Sequence, residues 1–446
     1  MFVVHAPYVP DLLKKLSSEQ VQAAVAAPMP ADDGRYLHWD KLRRLQAPES
    51  LSSEQWWLKI KLARANERRN VPLADTYGRP FGFTLPDVVL RHLHYVDQRC
   101  SGEIAMEKAV TSQREAERRF LVNSLMEEAI RSSQLEGATT SRRVAKEMLR
   151  SGRPPKDRGE RMIANNYRAL QFVRDDLCGD LAPETVLELH RIVTEGTLQN
   201  PDAAGRLQRP DEERVAVFDR DDQERPIHRP PPAEELPRRM ERLCRFANGM
   251  DDGDQFVHPV VRAILLHFWL AYDHPFEDGN GRTARLLFFW AMRKHGYWLA
   301  EYLPISRFIR KAPAQYERAF LESETDEGDM TYFLIHQLKV IEQSIDDLDR
   351  YLQRKIAEQS EMKTMLHSIE DLNGRQLVLL THAAKNPDHT YTFAGHARSN
   401  RVTHETARAD LGDLADRGFL VRRRRGRTYI FEVPPDLPDR LRESGR

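Results

Sequence analysis

His274-Pro275-Phe276-Glu277-Asp278-Gly279-Asn280-Gly281-Arg282-Thr283-Ala284-Arg285 lies between two apolar runs, Val260 to Tyr272 and Leu286 to Met292. Both runs read as buried helices, and a polar, glycine-bearing loop wedged between them weakens packing and loosens the unfolded chain. Its residue types suggest a chemical reason. Gly279, Asn280 and Gly281 can each take left-handed or open backbone conformations, so successive N–H groups can converge on an anion. The helix expected from Arg282 onward adds its positive N-terminal end. Arg282 and Arg285, three apart on one helical face, can hold further phosphate oxygens. Asp278 can offer oxygen to a hard cation such as Mg²⁺, which takes one or two carboxylates and leaves its other positions to phosphate and water. His274 titrates near neutral pH and can serve as a base. A lone His-Pro or Gly-Asn-Gly is an ordinary turn, and His258-Pro259 reads as one. All the parts in this order describe a site that holds a polyphosphate and deprotonates an attacking group.

Composition sets the frame for that loop. The chain has 446 residues, with Lys plus Arg at 68 and Asp plus Glu at 68. The formal charge is zero, which excludes a chain that is basic throughout. Charged residues make up 30% and hydrophobic residues 40%, too apolar for a wholly disordered chain. Cys100, Cys178 and Cys244 lie far apart, against a disulfide framework or a cysteine-built zinc site. The longest apolar run, Ala263 to Ala271, is too short for a bilayer span, so no membrane partner is expected. Met1 to Pro10 lacks a basic region and carries two prolines, unlike a signal peptide. A cytoplasmic protein is the expectation.

Patterning suggests four regions. Residues 1–102 read as an N-terminal helical collar: one helix from Asp11 into Ala26, a loop from Pro28 to Gly34, a helix capped by Ser52 or Ser53, and turns with short strands from Asp75 to Phe83. Residues 103–345 are mostly helical, with Phe120, Leu121, Leu125 and Ile130 near helical spacing. Val215-Ala216-Val217-Phe218, a polar loop from Asp219 to Arg225, and Pro226-Ile227-His228 interrupt them as a small β-hairpin. Residues 346–366 continue a long charged helix in which Ile341, Ile345, Leu348, Leu352 and Ile356 repeat at spacings of three and four. That stripe suits a connecting helix or a homodimer seam. Residues 367–446 change character: three helices (372–384, 394–399, 403–416), an extended Tyr391-Thr392-Phe393, and strands at Phe419-Leu420-Val421 and Thr428 to Phe431 joined by Arg422 to Arg427. This is the order of a winged helix-turn-helix.

The stretch from His274 to Arg285 resembles the Fic motif, H-P-F-x-[D/E]-G-N-G-R-x-x-R, at every specified position. The helices over 103–345 also resemble a Fic core. The resemblance implies an all-α fold with a β-hairpin flap, here followed by the winged helix-turn-helix. It implies AMP transfer from ATP to a Ser, Thr or Tyr hydroxyl of a protein target, with pyrophosphate released. On that reading His274 is the base and Asp278 holds Mg²⁺. Gly279, Asn280 and Gly281 form the anion hole, Arg282 and Arg285 grip the outer phosphates, and Phe276 anchors the loop. Doc toxins of the wider family carry Lys where Gly281 stands and use the nucleotide as a phosphate donor, so Gly281 favours nucleotidyl transfer.

Ser132-Ser133-Gln134-Leu135-Glu136-Gly137 resembles the family's inhibitory pattern, [S/T]-x-x-x-E-[G/N], although such a string is also an ordinary helix end. The resemblance implies an ion pair from Glu136 to Arg285 that keeps ATP phosphates out of register. In some members a glutamate of this type serves removal of AMP, which remains an alternative direction here. The 215–229 hairpin corresponds to the family's flap, along which a target strand can dock. Tyr316 is either a border of the adenine or a core residue.

From residue 390 onward there are twelve Arg, no Lys and eight acids. Arg422 to Arg427 could meet phosphate, so nucleic acid is a possible partner of 390–433. Asp410, Asp413 and Asp416 on the expected recognition helix oppose that unless they turn inward or pair with arginine. A DNA-binding regulator whose core only senses nucleotide is therefore the rival function.

Overall fold

The computed structural model describes residues 3–28, 35–48, 51–101, 114–177, 179–214, 217–218, 226–250, 255–386, 388–426 and 428–444. Most of the expected 28–34 loop, the 103 boundary, Val215-Ala216, the 219–225 loop and Cys178 lie outside them, as do the side chains of Phe120 and Ile356. The chain forms two compact units, residues 1–348 and 349–446. It is mostly helical, with short two- and three-stranded sheets.

The first unit opens with α1 (Val9–Lys15) and α2 (Ser18–Ala26), where one helix was expected. Ser17 breaks it: its hydroxyl accepts from the Gln20 N–H while Gln20 reaches back to the Ser17 N–H, and this capping box restarts the helix. A short α3 (Trp39–Leu42) follows, then α4 (Ser53–Glu67), capped by Ser52. The short strands expected around Asp75 to Phe83 are β1 (Arg69–Ala74), which starts earlier than expected, and β2 (Pro80–Phe83), paired antiparallel with Arg69 opposite Phe83. α5 (Asp87–Cys100) closes the region.

The helices α6 (Arg114–Leu135), α7 (Arg142–Ser151), α8 (Arg158–Asp175) and α9 (Pro183–Thr194) lead to β3 (Val217–Phe218) and β4 (Pro226–His228). These two strands pair antiparallel, Val217 opposite His228, as the expected hairpin. α10 (Leu236–Ala247) precedes the central pair, α11 (Pro259–Asp273) and α12 (Asn280–Lys294). Both central helices are buried along almost their whole length, Leu265, Phe268, Leu287 and Trp290 included. A helix apolar on all sides belongs inside other helices, and α8, α9, α10 and α6 surround this pair. Each such side chain contributes roughly 1.5–3 kcal/mol on full burial, and that packing holds the polar loop between the two helices. α13 (Ile305–Lys311) and α14 (Pro313–Glu324) then lead to α15 (Thr331–Ser368), a single helix of 38 residues. Ile341, Ile345 and Leu348 are buried along it, and the boundary between the units falls within it.

The second unit contains α16 (Gly374–Lys385), β5 (Thr390–Tyr391), α17 (Phe393–Asn400), α18 (His404–Asp416), β6 (Val421–Arg425), β7 (Thr428–Glu432) and α19 (Leu437–Ser444). Its core gathers Leu366, Leu380, Leu411, Phe419 and Phe431. Two expectations change here. Phe419 and Leu420 are buried core residues ahead of the strand, and Arg422 to Arg425 are the strand itself, with Arg422 opposite Phe431 and Arg424 opposite Tyr429. Phe393 opens α17 behind the Thr392 cap, so the extended piece ends at Tyr391. Cys100 and Cys244 are buried free thiols, and no helix among the described residues is long and apolar enough to cross a membrane.

Candidate active site

The loop after α11 is built by its own side chains and by α9. His274 takes a left-handed conformation at φ 43°, tolerated more readily by His than by most residues. Asn280 clasps the loop: its Oδ1 accepts from the Phe276 N–H at 3.0 Å and its Nδ2 donates to the Phe276 carbonyl at 2.8 Å. Those bonds fix the amide's orientation. Its remaining hydrogen points to His274 Nδ1 at 3.2 Å, so the neutral ring carries its own hydrogen on Nε2. Phe276 is fully buried and stacks on His190 of α9, centroids 3.7 Å apart. His190 Nδ1 accepts from the Gly205 N–H at 3.0 Å, which leaves Nε2 to donate to the Asp278 carbonyl at 2.9 Å. Burial pulls the His190 pKa down to about 4, so it stays neutral in this role.

Of the three residues expected to curl as a nest, only Gly279 is left-handed, at φ 88°. Asn280 and Gly281 already belong to α12, which begins at Asn280 directly after the left-handed Gly279. The anion-facing element is therefore the first turn of α12, whose leading N–H groups have no partner within the helix. A Cβ at Gly279 would lie 2.7 Å from Thr194 Cγ2, on a backbone that L side chains rarely adopt. Gly279→Ala should lower unfolding stability by about 1–3 kcal/mol. A denaturant midpoint equal to that of the parent protein would count against this packing.

The imidazole of His274 is half-buried and faces cations. Burial first, then His228 and Arg214, lower its pKa to about 3, with Asp278 opposing. Arg214 clamps the loop, donating to the carbonyls of Asp273 at 2.8 Å and His274 at 3.2 Å, and to Pro231 at 2.8 Å. His228, on β4 of the hairpin, points both ring nitrogens at acceptors: Glu324 Oε2 at 2.8 Å and the Tyr272 carbonyl at 2.6 Å. Only the imidazolium can donate both bonds. Burial works against the charge, but Glu324, the Tyr272 carbonyl and Asp273 outweigh it and raise the pKa. A raised folded-state pKa means the stabilisation is full below His228's unfolded value of 6.5 and is lost as pH rises through the folded value. His228→Gln should remove about 1.5–3 kcal/mol of stability at acid pH and less at alkaline pH. Thermal melts of both proteins across that range check the sign; a deficit that grows with pH would contradict it.

Asp278 is partly exposed. Its Oδ1 accepts from the Gly279 N–H at 2.5 Å, and its Oδ2 from Arg158 Nη2 at 3.1 Å. No cluster of three or more His, Cys, Asp or Glu able to hold a metal occurs among the described residues. A lone carboxylate fits Mg²⁺ in its phosphate-bound form, provided Arg158 gives way.

The two arginines diverge. Arg282 has no exposed surface; its Nη1 donates to the Val193 carbonyl at 2.8 Å, and its Nη2 lies 3.5 Å from Asp278. In this state it does not share an outward face with Arg285. Arg285 turns to the end of α6, donating to Ser132 Oγ at 2.8 Å, to the Ser132 carbonyl at 3.1 Å and to Glu136 Oε1 at 2.8 Å. Gly137 ends that segment at φ 92°. A Cβ added at Gly281 would collide with Glu136 Oε1, so the carboxylate rests over the first turn of α12, where an anion would sit. Tyr316 lies beside Arg285, and its hydroxyl meets His267 Nε2 at 2.8 Å.

The structure thus gathers His274, Asp278, Gly279, Asn280, Gly281, Arg285, Ser132, Glu136 and Tyr316 around one loop, with Arg282 beneath it. Sequence reasoning missed His190, Arg214, His228, Arg158 and Asp273. Asp273 is buried, receiving Arg239 Nε at 2.8 Å and Trp269 Nε1 at 2.9 Å, and pins the end of α11. Arg214 precedes the hairpin and His228 ends its second strand, so the hairpin is the one local signal that could have found them.

Residues 180–292 match the Fic/DOC family model. The chain is 34% identical over 122 residues to a protein adenylyltransferase Fic from Nematostella vectensis, 27% of this chain and 25% of that one. It is 41% identical over 70 residues to a protein adenylyltransferase Fic from Drosophila melanogaster, 16% of this chain and 14% of that one. It therefore spans a quarter or less of the curated relatives it matches. A Fic family protein from Desulfovibrio desulfuricans G20 superposes with a TM-score of 0.51 at 16% identity, covering 82% of this chain and 99% of that one. A single-substitution variant of a Fic-1 fragment from C. elegans superposes at 0.50 and 20% identity, covering 78% of this chain and 90% of that one. Likeness at these identities is one of fold.

Proposed function

We propose that this protein transfers AMP from ATP to a Ser, Thr or Tyr hydroxyl of a protein target. The observation that carries the reading is the loop itself: an accessible neutral imidazole, a lone carboxylate and an unsatisfied helix start, held together by Asn280 and His190. The names of the curated relatives support it over the stretch they share with this chain. In the reaction the hydroxyl oxygen attacks the α-phosphorus, the bond to the β-phosphate oxygen breaks, pyrophosphate leaves, and His274 takes the hydroxyl proton. The cations His228 and Arg214 depress the proton affinity of His274 in the resting site. A bound triphosphate offsets their field and raises that affinity as the hydroxyl arrives. Proton uptake at Nδ1 replaces the Asn280 contact. Asp278 would hold Mg²⁺, which supplies charge neutralisation on the phosphates. The α12 N-terminus would receive phosphate oxygens, and the hairpin would offer its edge to the target strand.

Glu136 is the proposed brake. Its carboxylate takes Arg285 and covers the first turn of α12, so a triphosphate entering the resting site meets a negative group where its outermost phosphate belongs. Ser132 and Gly137 would set the position of that acid. The reaction class is tested by incubating the protein with ATP labelled at the α- or the γ-phosphate. Label on protein from the α-position alone is the expected result. Label from the γ-position would replace nucleotidyl transfer with phosphoryl transfer.

A further inference from the structure

The second unit carries a strongly charged surface that the proposed transfer reaction does not use. Val421 and Arg422 to Arg425 are exposed along the whole of β6, which is the edge of the sheet β5-β7-β6. Edge strands are commonly blunted by a charge or two. Four arginines in succession go further and place guanidinium groups on both faces, roughly 6.6 Å apart along each face. Among the described residues only Arg423 of the four meets a carboxylate, Glu432 at 2.8 Å.

The adjoining helices supply a second, independent feature. α17 and α18 are joined by Arg401, Val402 and Thr403, with Arg401 left-handed at φ 53° and Thr403 capping α18. A three-residue turn between two short helices is the geometry that sets the second helix into a major groove. The outward face of α18 shows His404, Glu405, Arg408 and Ala409. Of the three acids expected to oppose a phosphate backbone, Asp410 is turned inward: it is buried and bonded to Arg375 at 2.8 Å, Asn373 at 2.8 Å and His396 at 3.1 Å. Asp413 receives Gln376 at 2.7 Å. Asp413 and Asp416 are nonetheless exposed, with Arg417 3.9 Å from Asp413, so the outward side of α18 mixes His404 and Arg408 with Glu405 and these two acids, and the excess of positive charge lies on β6.

We propose that the second unit binds double-stranded DNA, with α18 entering the major groove and the β6 arginines along the phosphate backbone. This rests on no feature of the nucleotide site and stands apart from the transfer reaction. The test uses the full chain and a fluorescent mixed-sequence duplex of about two helical turns, read by anisotropy from ~50 to ~300 mM salt. Binding is expected to weaken with salt at a log–log slope of about −0.9 per phosphate contact. Replacing Arg422, Arg424 and Arg425 together by alanine should lower affinity at least tenfold and flatten the slope by up to about 2.7. The same three changes to lysine should keep most of the slope, which separates lost charge from lost folding. Absence of binding at the lowest salt would overturn the proposal. So would equal binding by the alanine variant, or tighter binding to duplex RNA or to poly-glutamate than to duplex DNA.

Discussion

Replacing His274 by alanine is expected to lower AMP labelling by about a hundred- to ten-thousandfold, the usual contribution of a positioned general base. The nucleotide groove does not depend on that ring, so ATP binding measured by calorimetry should change little. The residue also ends α11 in a left-handed conformation. His274→Asn is therefore the better control, because asparagine adopts that backbone readily and offers no base. Both variants should be inactive, and the asparagine form should melt close to the parent. Labelling that persists in either one, measured in the de-repressed protein described next, would remove His274 from the chemistry.

Glu136→Gly should raise labelling. The acid joins the buried Arg285 guanidinium at 2.8 Å and lies against Gly281. Without it Arg285 keeps the Ser132 oxygens and its Tyr316 neighbour, and the first turn of α12 opens to an incoming phosphate. Coupling between an internal block and a ligand site is typically worth 5- to 150-fold, and a rise of roughly that size is expected. Glu136→Gln separates charge from bulk: it fills the same space without opposing phosphate, and should give a smaller rise. Unchanged labelling in the glycine variant, with His274 intact, would leave Glu136 as a structural helix end.

The make-up of the loop was legible in the sequence because it is local. Twelve consecutive residues hold the histidine proposed as the base, the carboxylate, the glycines and both arginines, and apolar runs on either side announce the helices that support them. The hairpin before Pro230 was legible for the same reason. Errors arose where the backbone changes course at one residue. Ser17 restarts a helix that apolar spacing alone would carry through, and α12 begins at Asn280, so only Gly279 of the expected nest is left-handed. The arginine run of the second unit looked like a loop because charge disguised it; its partner strand and an exposed edge make it a strand.

Residue order alone determined the helical class, the loop between two buried helices, and the side chains that loop carries, since these depend on spacing and side-chain type. Tertiary packing decided which way each side chain faces. It sent Arg282 under the loop and Arg285 across to Ser132 and Glu136, 153 and 149 positions away in the chain. It brought Glu324 and the Tyr272 carbonyl to the two nitrogens of His228, and so made a cation of a residue that sequence leaves neutral or charged. It also turned Asp410 inward onto Arg375 and His396. Direction and protonation follow from distant neighbours and from exclusion of water, and neither is written in the local order of residues.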